Sequence, residues 1–171
     1  MTLRRCLDGL YDAAGYLAAL FLVGTLAMVL VGIAGRLLHF HVPGTDAYAG
    51  YSMAAAGFLA LAHTLKRGEH IRVTLLIERL GPAGRRRAEL WALGVGVLLA
   101  GLFAYFSVRL AWQSYDFNDV STGNDATPLW IPQLSMAAGT LILLVALLDE
   151  LVRELRGTRR EATHAAPRFN E

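Results

Sequence analysis

Cysteine is nearly absent from this 171-residue chain, where Cys6 stands alone. One thiol cannot close an internal disulfide, a CxxC redox pair or a multi-cysteine metal site, so thiol oxidoreductases and disulfide-stapled surface proteins are excluded. Cys6 reads as a bystander thiol, and no motif supports lipid attachment there. Charge is also scarce. Asp, Glu, Lys and Arg make up 18% of the chain, and the net charge of +2 is the balance of 16 basic and 14 acidic residues. So small and evenly mixed a balance leaves no footprint for nucleic acid. Catalytic signatures are missing as well. No GxSxG, HExxH, GxxxxGK[ST] or pair of intramembrane carboxylates occurs, so the chain reads as a non-enzyme with no cofactor.

What is abundant is apolar surface. The residues AVILMFWYC make up 55% of the chain, and the mean hydropathy is +0.43. That is too apolar for an ordinary soluble domain, and it assigns the bilayer as solvent. Four windows carry no formal charge: 13–35, 47–65, 90–108 and 126–148. Each approaches or exceeds the roughly 20 residues that a helix needs to cross. Membrane β-strands would alternate apolar and polar residues, which Leu17 to Val31 and Leu141 to Leu148 do not. The sequence therefore predicts an all-α integral membrane fold, one domain over 1–156 with four transmembrane helices, and a disordered tail over 157–171. The first window exceeds the apolar core of a secretory signal and is expected to be retained.

Lys and Arg outside the windows divide 14 against 2. Arg36 and Arg109 are alone on the sparse side, together with Asp46, Asp116, Asp119 and Asp125. By the positive-inside rule both termini and the 66–89 loop are cytoplasmic. The aromatic residues suit these depths as interfacial anchors, with Tyr16 and Trp91 near the inner boundary and Tyr48, Tyr51, Tyr105, Trp112 and Trp130 near the outer one.

Between the second and third windows, Val73, Leu76, Ile77 and Leu80 form a helical stripe, which predicts a short amphipathic helix over 71–80 lying on the inner membrane surface. Gly81-Pro82 ends it. Arg85, Arg86 and Arg87 then stand where anionic lipid headgroups are expected. On the outer side, Asn118 to Thr127 reads as turn, and Pro128 and Pro132 stiffen the start of the last helix. Small residues recur every fourth position at Ser52, Ala56 and Ala60, at Gly96, Ala100 and Ala104, and at Ser135 and Gly139, so that helix backbones can approach closely.

The centres of the four windows contain no Asp, Glu, Lys or Arg, although ion-coupled carriers place ionisable groups at that depth. His63, two residues from the inner end of its window, reads as interfacial. No histidine pair shares a depth on two helices, which argues against haem. His39, His41 and Asp46 carry a weak HxH-type metal signal. The chain reads as a non-catalytic membrane subunit that offers helix surfaces to a partner.

Arg67-Gly68-Glu69-His70-Ile71-Arg72-Val73 resembles the R-x-x-H-[IV]-R-V-D pattern of the DctQ-type small permease subunit of tripartite ATP-independent periplasmic (TRAP) transporters, with Thr74 where that family commonly has Asp. Ser121-Thr122-Gly123 and Ile131-Pro132-Gln133 are similar to the family's region before its last helix. The resemblance implies a bacterial inner-membrane subunit that enlarges the fixed scaffold of a large permease. The large subunit holds the substrate and sodium sites and moves as an elevator, while a periplasmic binding protein delivers a small carboxylate solute. On this reading Arg67, Glu69, His70 and Arg72 anchor the interfacial helix, and Asp116, Asp119 and Asp125 help to receive the binding protein. Two rivals belong to other classes. An autonomous four-helix exporter would need a carboxylate within 13–35, where none exists, and a respiratory membrane anchor would have to be haem-free.

Overall fold

The computed structural model describes residues 2–40, 42–67 and 81–156. The regular elements within them are four helices: α1 (Thr2–Leu37), α2 (Thr45–Arg67), α3 (Pro82–Asp116) and α4 (Trp130–Leu155). The expected interfacial helix over 71–80 and the tail over 157–171 lie outside the described residues. Three of the four helices overrun their uncharged windows, because Arg, Glu and Leu are good helix formers whether or not lipid surrounds them. Loss of charge marks the lipid-facing part of a helix, not its ends. At the start of α4 the order reverses. The helix begins at Trp130 instead of residue 126, and Pro132 occupies its first turn, where a backbone N–H would have no intrahelical acceptor.

Backbone caps explain where two helices stop. His39 (φ 58°) and Asn118 (φ 53°) both adopt the left-handed conformation one residue beyond the cap of α1 and α3. Behind Asn118, Asp119 N–H donates to the Ser114 carbonyl at 3.0 Å and Asn118 N–H to the Tyr115 carbonyl at 3.2 Å, the paired bonds of a Schellman ending. Phe40 N–H donates in the same way to the Gly35 carbonyl at 3.0 Å. His39, read from sequence as a weak metal candidate, thus has a backbone role, and His41 lies outside the described residues. Among the described residues no cluster of three potential metal ligands occurs.

The helices form a row. α1 packs on α2, α2 on α4, and α4 on α3, so α2 and α4 are central and α1 and α3 are the edges. Three helices are long and apolar enough to cross a membrane, over Arg4–Leu37, Gly84–Asp116 and Trp130–Leu155. The fourth, α2, is rich in alanine and carries Tyr48, Tyr51 and His63. Its alanines Ala49, Ala55, Ala56 and Ala62 are buried against its neighbours.

The interior is built almost entirely from small side chains. Ala14, Ala55, Ala62, Ala104, Ala137 and Ala146 are buried, whereas Leu20, Val23, Leu26 and Leu98 face outward. In water this pattern would fail. In lipid it is the expected one, because acyl chains are as apolar as leucine and helices associate by close van der Waals packing. Thr140 is fully buried and satisfies its hydroxyl within its own helix, on the Met136 carbonyl at 2.9 Å and the Ala137 carbonyl at 3.0 Å.

Candidate functional site

At the end of the row that carries the basic residues, α1 and α2 are joined by polar contacts around Tyr11. Its ring is 3% exposed, in a cluster with Ala62 and Ala146, and Lys66 Nζ stands 5.5 Å from the ring centroid. The same ammonium pairs with Asp8 Oδ1 at 2.9 Å. His63 Nδ1 lies 3.3 Å from the Tyr11 carbonyl oxygen and 3.6 Å from Asp12 Oδ1. The carbonyl can only accept, so the proton of a neutral His63 belongs on Nδ1. The ring fits because Gly15 faces it; a Cβ there would approach the imidazole to 2.8 Å. Gly24 faces Ser52 and Gly32 faces Thr45, so one glycine track runs from Gly15 to Gly32 of α1 beneath α2. His63 is therefore an interhelical linker near the end of α2.

At the same end, Arg86 Nη2 donates to the Leu155 carbonyl at 3.4 Å, a cation on the last turn of α4. Arg85 pairs with Glu89 at 3.2 Å, and Arg87 is exposed. The three arginines expected at headgroups thus share one helix start, and two of them also make protein contacts. Arg67 ends α2 and is exposed, while Glu69, His70 and Arg72 lie outside the described residues.

The opposite end is organised by Asp125. Its Oδ1 accepts from Ser121 Oγ at 2.8 Å, and its Oδ2 accepts from the Tyr51 hydroxyl at 3.0 Å. Ser121 Oγ also accepts from Gly123 N–H at 3.2 Å, so the Ser121-Thr122-Gly123 motif is a tight turn folded around one carboxylate. Thr127 Oγ1 donates to the Tyr48 hydroxyl at 3.2 Å, and Ser121 N–H donates to the Thr127 carbonyl at 2.8 Å. The α3–α4 connection is thereby tied onto α2, across to the α1–α2 turn. At that turn Gly44 (φ 79°) has Asp125 directly above it; a Cβ on Gly44 would meet the Asp125 Cβ at 2.7 Å.

Asp116, Asp119 and Asp125 were grouped in the sequence as one acidic patch, and the structure divides them. Asp116 and Asp119 are exposed at the end of α3, whereas Asp125 is partly buried and spent on internal hydrogen bonds. Gly44, Tyr48 and Tyr51 were not recognised as its partners. Pro43-Gly44 is a pair of the kind that marks a turn, a signal the sequence reading passed over, and the two tyrosines look in sequence like ordinary interfacial anchors.

These bonds give Asp125 an unusual acidity. Hydrogen bonds from Ser121, with its own backbone N–H and Tyr51, outweigh desolvation and hold its carboxyl at about 2, below the ordinary 3.8. A carboxyl depressed in the folded state adds stability above the unfolded value, and that stability is lost as the pH falls through the folded value. The advantage of the native protein over Asp125→Asn is therefore expected to be complete above about pH 4 and to shrink between pH 3.8 and about 2. Thermal unfolding of both proteins in the same detergent, measured at several pH values across this range, reads it directly.

The comparisons with known proteins bear on the geometry just described. The family described as Tripartite ATP-independent periplasmic transporters, DctQ component, matches residues 13–157, which contain all four packed helices except the N-terminal part of α1. No curated protein and no solved structure gives a match to the chain.

Proposed function

Since the chain belongs to the DctQ family, the small permease component of TRAP transporters, we propose that it is a static brace: all four helices cross the inner membrane, both termini are cytoplasmic, and the packed row supports a large permease subunit. The family is a transporter component and not an enzyme family. The observation that carries the proposal is the interior of the row. The uncharged stretches of the four helices meet through alanine and glycine, and α2 and α4 pack backbone against backbone at Phe58 and Gly139. Those stretches hold no carboxylate or cation to couple an ion gradient to the passage of a solute. Rigidity is what the row offers.

On this reading the large subunit carries out gradient-driven uptake of a small carboxylate solute delivered by a periplasmic binding protein. Exposed Asp116 and Asp119 belong to the surface that meets the delivering protein, Asp125 supports that surface from beneath, and Arg85, Arg86 and Arg87 lie among the headgroups. Arg67, Glu69, His70 and Arg72 anchor the segment between α2 and α3.

The test is reconstitution. Tagged small subunit is expected to retain the large subunit through detergent purification, and vesicles with both subunits and the binding protein are expected to accumulate solute under an imposed ion gradient. Vesicles with the small subunit alone should accumulate none. Accumulation by the small subunit alone, or full uptake by the large subunit without it, would refute the bracing role.

A further inference from the structure

An open groove of about 540 Å³ runs along the outer surface between α3 and α4. It exists because α3 places small residues, Gly101 and Ala104, opposite Leu141 and Leu144 of α4. Even a Cβ on Gly101 would only just reach Leu144, at 3.9 Å. From Gly101 to Trp112 the groove follows eleven residues of helix, a rise of about 16 Å. That is about half of the roughly 30 Å hydrocarbon thickness of a bilayer, or one leaflet.

Its two ends differ chemically. The Gly101 end is apolar, and the other carries Arg109 beside Trp112. Arg109 and Arg36 are the two cations at this end of the molecule. Arg36 lies 3.8 Å from Asp46, whereas Arg109 is exposed and has no acidic partner within salt-bridge distance among the described residues. A guanidinium at the headgroup level attracts a singly charged phosphodiester, with two parallel N–H donors for its two free oxygens. An acyl chain matches the rest of the groove in polarity and in length.

We propose that this groove is a binding site for one glycerophospholipid, its phosphodiester on Arg109 and one acyl chain laid over Gly101 and Ala104 towards the middle of the membrane. The inference rests on the membrane-spanning reading of α3 and α4 but not on the bracing role, so the two can fail separately. Charge complementarity selects the occupant. A helix of a partner protein would fill the apolar floor and leave the cation unanswered.

The experiment uses the complex with the large subunit, purified from nanodiscs of phosphatidylethanolamine and phosphatidylglycerol, with retained lipid counted by native mass spectrometry. A photo-crosslinking residue at Val108, which lines the groove, identifies the neighbour. One phospholipid per small subunit and a lipid adduct at position 108 are expected; either headgroup supports the site, since both carry the phosphodiester. Arg109→Gln should lower retention about tenfold, the scale of one charge-assisted contact. Gly101→Leu should displace the lipid by filling the floor while Arg109 stays in place. Retention unchanged in both variants, no retained lipid in the unaltered complex, or a crosslink to the large subunit instead of to lipid overturns the proposal. Co-purification of the two subunits, scored in the same samples, reports separately on the bracing role.

Discussion

Replacing Gly139 with valine is expected to separate α2 from α4 and to abolish recovery of the complex with the large subunit. A Cβ at position 139 would stand 2.5 Å from both the carbonyl carbon and the carbonyl oxygen of Phe58, and 2.8 Å from the Phe58 Cβ. Real Cβ atoms do not approach backbone so closely, and backbone cannot swing aside as a side-chain tip can. The helices must part, losing the close packing that replaces the hydrophobic effect inside lipid. Overpacking of this kind costs about 3 kcal/mol, and here it falls on the main helix–helix seam between the α1–α2 pair and the α3–α4 pair. Gly96→Ala is the control, because its Cβ would meet Leu147 at an ordinary 3.7 Å. Thermal unfolding in detergent should show a large loss for Gly139→Val and nearly none for Gly96→Ala. Equal stability of the two would contradict the α2–α4 contact.

The second large effect is expected at Gly44. Valine there would combine two penalties: a β-branched residue held at φ 79°, and a Cβ placed 2.7 Å from that of Asp125. The α3–α4 connection would then lift from α2 and break the hydrogen bond between Tyr51 and Asp125. Because the four helices are untouched, Gly44→Val should keep its helical circular dichroism and lose protection at the outer connection. Limited proteolysis from the Asp125 side should cut between Asn118 and Thr127 in the variant far faster than in the native protein. Equal cleavage rates would mean that Gly44 has no part in holding the connection down. Asp125→Asn offers an independent comparison, since it weakens the same tie without any clash.

The helices themselves were legible because crossing a bilayer demands runs without charge, and such runs survive any detail of packing. The order of the helices in the row was not. In water a helix shows its buried side as an apolar stripe, but α3 carries Leu98, Leu99, Leu102 and Phe106 on exposed positions and buries Ala100, Ala104 and Ser107. The informative residues were thus the small ones. The fourfold spacing of Gly96, Ala100 and Ala104 led to a packed face, whereas the longer intervals between Gly15, Gly24 and Gly32 concealed the track beneath α2. The fate of Asp125 depended on Tyr51, 74 residues earlier in the chain. A loop carboxylate is ordinarily solvated, and nothing local to it announces such a distant hydroxyl. The family motif around Ser121 was recognisable, but its physical role as the fold around that carboxylate required the geometry.

The linear arrangement of the helices also sets an order of assembly during synthesis. α1 and α2 are neighbours in sequence and in space, so they can pair as soon as α2 has left the ribosome, and α3 and α4 can do the same later. The α2–α4 seam joins elements far apart in the chain and must wait for the last helix. Until then the alanine-lined flank of α2 has no mate, and the half-made protein presents to chaperones and proteases the very surface that the finished one hides.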